Sequence, residues 1–156
     1  MAIPSLIERF LTEAGFGYST RRHCTAPTAL IGAAATHVPA REWAKAVVFV
    51  ADRTPILAVV PATCRVDPER LRALAGARQL RRAREAEIAA LYPESECGAM
   101  PPLGPLYGHR VFLDQQLARE DHVWFNAGTH TDAIRMDFHD FAEAIHPIVG
   151  RIAAQS

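Results

Sequence analysis

Lysine is almost absent from this 156-residue sequence, which has sixteen arginines and a single lysine, Lys45. Arginine carries a planar fork of donors, whereas lysine carries a compact charge on a flexible stem, so the two are not interchangeable in a confined site. Lys45 directly precedes the apolar run 46–50, where a cation is costly unless an anion meets it. Two interpretations are open at this point. Either the single lysine is a chance result of an arginine-rich composition, or it marks a functional site.

Other scarce features exclude whole classes of protein. The three cysteines, Cys24, Cys64 and Cys97, are odd in number and form no CxxC pair, which argues against a disulfide framework or a zinc knuckle and for a reducing compartment. No apolar run approaches the length of a membrane span, and the N-terminus lacks the pattern of a signal peptide. We therefore expect a cytoplasmic protein that is not associated with a membrane. The formal net charge is zero, so any contact with nucleic acid must be local.

The length predicts one domain, residues 1–156, with a hydrophobic core. Helical and strand patterns are interleaved without regular βαβ spacing, which favours an α+β domain with a mixed, largely antiparallel sheet. The predicted helices cover approximately residues 5–14, 26–35, 67–76, 82–91 and 138–145. The predicted strands cover approximately residues 18–21, 45–50, 56–60, 79–81, 110–113, 123–126 and 133–136.

Capping residues predict where four of these helices begin, and one turn predicts a hairpin. Ser5 and Glu8 predict a capping box for the first helix, and Thr25 is the predicted N-cap of the second. Asp67 begins the third helix, and Asp137 caps the last. The apolar runs at 45–50 and 56–60 are joined by a short turn, which predicts a β-hairpin.

Residues 93–108 contain four of the eleven prolines and three of the nine glycines. Proline fixes φ and removes an amide donor, while glycine permits backbone angles that other residues avoid, so the segment predicts a stiff loop. Such a loop can present backbone N–H groups to a carbonyl oxygen or an anion. Taken alone, the loop is explained more simply as a crossover without chemistry.

Three blocks, in this order along the chain, give the sequence a resemblance to a known family. They are Lys45 with Val59-Val60-Pro61 and Arg65-Val66-Asp67, then Gly98-Ala99-Met100-Pro101-Pro102 with Leu103-Gly104, and finally Phe125-Asn126-Ala127-Gly128. Together they resemble the YbaK / prolyl-tRNA synthetase-associated editing domains, which are free-standing bacterial aminoacyl-tRNA deacylases. The second block fits the GxxxP loop of that family. Leu103 departs from it, since an aromatic residue is common at that position.

The resemblance implies a fold and an activity. The sheet would be partly barrel-like, with surrounding helices. The chain would be a trans-acting hydrolase that cleaves the ester between a wrong amino acid and the 3′-terminal adenosine of tRNA. Lys45 would anchor the terminal phosphate or ribose, and the Gly98 amide would polarise the ester carbonyl as an oxyanion hole does. The ribose hydroxyl of the tRNA would help to position the water, so neither a metal nor another cofactor is expected.

The expected partner is mischarged tRNA, bound through its 3′ acceptor end, and an aminoacyl-tRNA synthetase remains open as a second partner. Further candidates for substrate contacts are His23, Thr25, Met100, Pro101, Pro102 and Gly128. Met100 lies within the loop and the two prolines stiffen it, so we expect a small pocket that accepts Ala, Ser or Thr side chains. For His23 a capping or packing role explains the residue equally well, and for Met100 core packing is the default.

Several competing sites are weaker. A Cys97 nucleophile with a histidine base is conceivable, but no cation or helix start is evident that would activate the thiol. Five histidines follow residue 108, and their spacing matches no zinc pattern, so we interpret them as surface or satisfied polar residues. They are His109, His122, His130, His139 and His146.

Two further alternatives stay open. The basic cluster of Arg78, Arg81, Arg82 and Arg84 fits phosphate contacts along an acceptor stem, or equally a solvated helix face paired with glutamates. For the whole chain, the second functional hypothesis is a non-catalytic module that binds an aminoacyl or nucleotide ligand. A deacylase requires an open path from Lys45 to the Gly98 amide, whereas a blocked path favours the binding module.

Overall fold

The computed structural model describes residues 3–155 and shows an α+β fold. The helices are α1 Ser5–Glu13, α2 Ala29–Thr36, α3 Pro68–Ala75, α4 Glu85–Leu91 and α5 Phe138–Ile145. The strands are β1 Ser19–Arg22, β2 Ala44–Ala51, β3 Thr54–Pro61, β4 Cys64–Val66, β5 Leu80–Arg82, β6 Arg110–Asp114, β7 His122–Asn126, β8 Asp132–Asp137, β9 Ile148–Gly150 and β10 Ala153–Gln155. No helix in this range has the length and apolar character that crossing a membrane requires.

The largest sheet has the strand order β5-β2-β3-β6-β9. Strands β5, β2 and β3 are antiparallel, whereas β6 runs parallel to both β3 and β9. The predicted hairpin is confirmed, with pairing from Ala44↔Pro61 to Ala51↔Thr54. Its two-residue turn, Asp52-Arg53, has φ values of 46° and 76°, the left-handed conformation that matches the twist of hairpin strands.

Two smaller sheets complete the β structure. Strands β1, β8 and β7 form an antiparallel sheet, and β10 pairs antiparallel with β4. An isolated bridge between Trp43 and Trp124 connects the largest sheet to β7. The sheets are therefore mixed and largely antiparallel, as predicted. The strands of residues 3–155 do not close into a barrel, because the largest sheet and the β1-β8-β7 sheet share no paired strands beyond this bridge next to β2.

Two hydrophobic cores lie on opposite faces of the largest sheet. Leu57 and Val59 of β3 belong to the core that includes Phe125 and Phe141, which α1 and α5 cover. Ile56, Ala58 and Val60 belong to the second core, which α3 covers through Leu71. Side chains alternate between the two faces of a strand, so β3 is buried on both. The same alternation in β2 decides which face each residue of the candidate site occupies.

Some predicted boundaries are corrected by the structure. The N-cap of α1 is Pro4 without a side-chain cap, so the Ser5–Glu8 capping box does not form, because Ser5 already lies inside the helix. The N-cap of α2 is Thr28, whose hydroxyl accepts from the Ile31 N–H at 3.2 Å. Thr25 lies outside the helix, since the Ala26 N–H donates to the His130 carbonyl at 3.0 Å and ties that segment to the loop between β7 and β8.

Other boundaries agree with the sequence patterns. Asp67 caps α3 as predicted, accepting from the N–H groups of Glu69 and Arg70 at 3.0 and 3.2 Å. Helix α4 begins at Glu85 rather than at residue 82. The strand predicted at 79–81 is observed as β5, which pairs with 49–51 and takes in Arg82, so only that residue moves from the predicted helix to a strand.

Candidate functional site

Lys45 is the second residue of β2 and is half-buried. Its side chain lies on the same face of the strand as Val47 and Phe49, the face of the α3 core. Its ammonium group donates a hydrogen bond to the backbone carbonyl of Cys64. Burial lowers the pKa of Lys45 below its usual value; the Cys64 thiol opposes this shift and Arg82 adds to it. The lysine is therefore a partly desolvated cation with one protein partner.

A cavity of about 550 Å³, here called the Lys45 cavity, surrounds this ammonium group. It contains three cations, Lys45, Arg65 and Arg82, and an apolar floor that includes Val47 and Phe49. Its single carboxylate, Asp67, is engaged in capping α3 and lies 3.5 Å from the Arg70 guanidinium. The remaining lining residues are Val66, Pro68 and Ala154. Unpaired cations beside an apolar floor suit an anionic ligand that carries a ring, such as a nucleotide.

The Gly98 loop is held in place by backbone hydrogen bonds to the segment after β7. Glu96 N–H donates to the Gly128 carbonyl at 2.8 Å, and Gly128 N–H donates to the Ala99 carbonyl at 3.0 Å. Ala99 N–H closes the turn on the Glu96 carbonyl at 3.0 Å. Gly98 has φ +85°, a left-handed conformation that glycine adopts without strain. The second and third sequence blocks are thus in direct contact.

His130 contacts this loop through two groups and the segment before α2 through a third, a role that the sequence did not reveal. Its N–H donates to the Glu96 carboxylate at 2.8 Å. Its ring nitrogens lie 2.8 Å from the Cys97 carbonyl and 3.1 Å from the Ala26 carbonyl. Carbonyl oxygens only accept, so both ring bonds form together only when the imidazole carries two protons. The one available signal was its position two residues after the third block.

The Gly98 amide borders a smaller cavity of about 240 Å³, here called the Gly98 cavity. Within residues 3–155 the Gly98 N–H makes no hydrogen bond, so it is available to an acceptor. The walls are mostly apolar and include Ala46, Val48, Ile88 and Met100. The other lining residues are Val47, Arg82, Ala83, Glu85 and Cys97. Gly98 is exposed and borders this mostly apolar space, and a backbone amide in such a place can bind a carbonyl oxygen beside a short side chain.

Lys45 and Gly98 line different cavities. Lys45 points to one face of β2, while Ala46 and Val48, which line the Gly98 cavity, point to the other. Val47 and Arg82 line both cavities. Strand β5 pairs only with residues 49–51, so in the part of the chain that is described the N-terminal half of β2 has an unpaired edge on this side. The two cavities therefore meet around that edge, at Arg82.

The other candidate residues lie outside both cavities, with the exception of Met100. His23 N–H donates to the Thr131 carbonyl at 2.8 Å, and its ring packs edge-on against Trp43 with 6.3 Å between ring centroids. Thr25 is exposed, whereas Pro101 and Pro102 are buried. Gly128 is also buried, with φ +89°, and a Cβ there would lie 2.8 Å from the Pro4 ring. None of these five residues lines either cavity, and they contact neighbouring segments of the chain instead.

The contacts that alternative chemistries require are not found in residues 3–155. The His130 ring contacts the backbone carbonyl of Cys97, and no histidine nitrogen is hydrogen-bonded to the Cys97 thiol in this range. Cys97 and Cys24 are exposed and Cys64 is buried. No group of three or more His, Cys, Asp or Glu side chains in this range is placed to hold a metal ion.

The comparisons with known proteins agree with this architecture. A model of the aminoacyl-tRNA editing domain family matches residues 23–144. A solved "putative trans-editing enzyme for prolyl tRNA synthetase" superposes with a TM-score of 0.84 over 98% of this chain and 99% of its own, at 24% identity. A scaffold protein for presenting linear epitopes superposes with a TM-score of 0.85 over 96% of both chains, at 22% identity. These likenesses show the fold.

A third solved structure is a "putative signal transduction protein" from Marinobacter aquaeolei VT8, with a TM-score of 0.77 at 18% identity. The match covers 99% of this chain but 31% of that one, so the same fold also occurs as part of a longer chain. No curated protein sequence matches this chain.

Proposed function

Because the chain belongs to the aminoacyl-tRNA editing domain family, we propose that it is a trans-acting deacylase that hydrolyses the ester of mischarged tRNA. One observation carries the proposal. A cationic cavity around Lys45 and a small apolar cavity with the unpaired Gly98 N–H meet at Arg82. A 3′-aminoacyl nucleotide has the matching parts, because an anionic nucleotide and a small acyl group are joined by one ester.

In this proposal the substrate spans the unpaired edge of β2. Lys45 anchors the terminal phosphate or ribose, a charge-assisted contact that contributes about 1.5–3 kcal/mol. Arg82 lies at the junction of the cavities and contacts the nucleotide between its two ends. The Gly98 N–H donates to the ester carbonyl oxygen, and removing one such donor from an oxyanion hole costs about 2.7–4 kcal/mol.

The chemical step is the addition of water to the ester carbonyl. The tetrahedral intermediate carries its negative charge on the oxygen that faces the Gly98 N–H, and it collapses with cleavage of the bond to the ribose oxygen. That oxygen takes a proton, so the products are tRNA and the free amino acid. As in the family that the sequence resembles, the neighbouring ribose hydroxyl of the tRNA positions the water, so no side-chain nucleophile enters the step.

The second candidate function is a non-catalytic module that binds an aminoacyl or nucleotide ligand. It is favoured by the placement of Lys45 and Gly98 in different cavities on opposite faces of β2. In that case the Lys45 cavity alone holds an anionic ligand, and the Gly98 loop has a structural role.

A deacylation screen separates the two functions. The purified chain is incubated with a panel of tRNAs that carry different amino acids, and the remaining ester is measured against an enzyme-free control. We expect hydrolysis of tRNAs carrying small residues such as Ala, Ser or Thr. Binding of tRNA without hydrolysis of any ester would support the binding module instead.

A further inference from the structure

A third cavity, of about 710 Å³, lies at the tip of the β2–β3 hairpin and is lined by three arginines, Arg53, Arg78 and Arg81. We propose that this cavity, here called the arginine groove, binds the phosphodiester backbone of the tRNA acceptor arm. The inference rests on the proposed function for its choice of ligand, since the same tRNA is to place its 3′ end in the Lys45 cavity. The groove is a separate binding surface, because none of these three arginines lines the Lys45 or the Gly98 cavity.

Two of the three guanidinium groups in the groove have no carboxylate partner within residues 3–155. Arg53 and Arg78 are exposed and form no ion pair within residues 3–155. Arg81 is paired with Glu87 through two bonds of 2.7 and 2.9 Å, which fix the orientation of its guanidinium group. The chain has a formal net charge of zero, so this excess of positive charge is local. Guanidinium groups match the geometry of phosphate oxygens.

The one carboxylate in the groove, Asp52, is committed to the backbone. Its two oxygens accept from the N–H groups of Arg78 and Gln79 at 3.0 and 2.9 Å. These bonds tie the hairpin turn to the loop that leads into β5. The carboxylate therefore acts as a clamp that brings the segment of Arg53 against the segment of Arg78, and it leaves both guanidinium groups unpaired.

The turn itself is conformationally costly. Asp52 and Arg53 both have positive φ, at 46° and 76°, and turns of this type favour Asn-Gly or Asp-Gly because glycine adopts such angles freely. The sequence has the aspartate but carries an arginine where glycine would be less strained. Backbone strain of this kind persists only where the surrounding structure holds it, and it occurs most often at functional sites. Here the hydrogen bonds of Asp52 to the N–H groups of Arg78 and Gln79 hold the turn. The strained position presents a guanidinium group to the groove.

The groove and the proposed active site are neighbours along β5. Residues 78–81 line the groove, and the next residue, Arg82, lines both the Lys45 and the Gly98 cavities. Four residues of extended chain, from 78 to 82, reach at most about 14 Å. A nucleic acid with its terminal nucleotide in the Lys45 cavity therefore needs only a few further nucleotides to reach the groove. A mononucleotide held in the Lys45 cavity leaves the groove empty, because the two cavities share no lining residue, so the groove favours a polynucleotide.

The test compares two double variants that remove the same charge. Arg53→Gln/Arg78→Gln alters the groove, and Arg119→Gln/Arg151→Gln is the matched control, since both of those arginines are exposed and neither lines the groove. The affinity for uncharged full-length tRNA is measured by fluorescence anisotropy between about 50 and 200 mM salt. A third variant, Arg53→Lys/Arg78→Lys, keeps the charge and reports whether loss of binding comes from loss of charge or from a disturbed turn.

For the groove variant we expect tRNA binding to weaken by roughly tenfold or more at low salt. Its slope of log affinity against log salt should be shallower by about 1.4–1.8, which corresponds to two lost phosphate contacts. The control should bind within about twofold of wild type, and the lysine variant should recover most of the slope. Unchanged affinity and slope in the groove variant would overturn the inference, as would an equal loss in the control or a wild-type chain that binds no tRNA.

A second substrate separates this inference from the proposed deacylase. Hydrolysis of an aminoacylated mononucleotide, which occupies only the Lys45 and Gly98 cavities and leaves the groove empty, should be unaffected in the groove variant. If the chain hydrolyses no ester but binds tRNA through Arg53 and Arg78, the deacylase fails and the groove stands. If deacylation is intact and tRNA affinity does not depend on these arginines, the deacylase stands and the groove fails.

Discussion

At the scale of single residues, Lys45 combines features that a purely structural residue does not need. It is half-buried, its ammonium donates to the Cys64 carbonyl, and two arginines share its cavity. Burial, and to a smaller extent Arg82, disfavour the charged form of Lys45. An anionic ligand would offset that cost, and this is the physical reason for the proposed contact with a nucleotide phosphate.

Substitution of Lys45 is expected to affect activity far more than folding. Lys45→Ala removes the anion contact and should abolish most deacylation. The lost hydrogen bond from the charged ammonium contributes about 1.5–3 kcal/mol; removing the lysine also removes the cost of burying its charge, so the melting temperature should change by only a few degrees. Lys45→Arg should also be poorly active, because a planar fork does not fit a site shaped around a compact charge. Rates on mischarged tRNA and thermal unfolding curves check both statements; full activity of Lys45→Ala would rule out this role.

The pH dependence of substrate affinity should report the lowered pKa of Lys45. The ammonium is charged below its pKa and neutral above it, so the anion contact is present at low pH and lost as pH rises through that value. Burial lowers the pKa, and the loss should therefore occur at a lower pH than for a free lysine, whose pKa is about 10.4.

The measurement for this prediction is KM for mischarged tRNA across the alkaline range, corrected for spontaneous ester hydrolysis with an enzyme-free control. The control variant is Lys45→Arg, since arginine stays charged throughout and should not show the rise in KM. A rise of the same size in Lys45→Arg would assign the titration to another group.

At the scale of elements, the Gly98 loop depends on the segment that follows β7. Gly128 both accepts from Glu96 and donates to Ala99, and His130 bonds to the Glu96 side chain and the Cys97 carbonyl. The loop is therefore held at both ends while the Gly98 N–H stays unpaired. This is the arrangement that an oxyanion hole requires, because its donors must be in position before the charge develops.

Gly98→Ala tests the loop against a matched glycine. Both Gly98 and Gly15 have positive φ, at 85° and 77°, so an alanine at either position costs about 1–2 kcal/mol of backbone strain. Relief of that strain at 98 moves the proposed oxyanion donor, and deacylation should fall by about 10²–10³-fold. Gly15→Ala, where a Cβ would have no atom within 4 Å, should lose similar stability and keep its activity. Equal activities of the two variants would contradict the role of the Gly98 amide.

Met100 is predicted to limit the size of the accepted side chain. It lines the Gly98 cavity and is 5% exposed, so Met100→Ala should enlarge the cavity and relax the preference toward larger residues. The control is Met136→Ala, a core substitution at 1% exposure outside this cavity, since each variant should lose about 2–5 kcal/mol of stability. Rates on Ala-, Thr- and Phe-charged tRNA are compared. An unchanged ranking for Met100→Ala would show that specificity is set elsewhere.

At the scale of the whole molecule, elements with strong local signals were predictable, and three of the four three-residue strands were not. The β2–β3 hairpin and α3 follow from an apolar pattern and from the Asp67–Gly76 boundaries. Strands β4, β9 and β10 were missed, because each has three residues and no visible period. They exist through distant partners, as in the pairing of Cys64 with Gln155.

The candidate site, too, was only partly predictable from the sequence. The scarcity of lysine and the density of proline and glycine marked Lys45 and the Gly98 loop, and the family that the three blocks resemble is confirmed by the match over residues 23–144. The face of β2 that the loop covers could not be read from the sequence, since it depends on tertiary packing. His130 was missed for a similar reason, because its partners are the backbone carbonyls of Ala26 and Cys97, which leave no sequence pattern.

The central claim is that one aminoacyl nucleotide spans the two cavities across the edge of β2. A crystal structure of the chain with a non-hydrolysable amide analogue of an aminoacylated 3′-terminal oligonucleotide tests it most directly. We expect the terminal phosphate or ribose at Lys45 and the analogue's carbonyl oxygen about 2.7–3.1 Å from the Gly98 nitrogen. An analogue that lies wholly in the Lys45 cavity, with its carbonyl out of reach of Gly98, would contradict the claim.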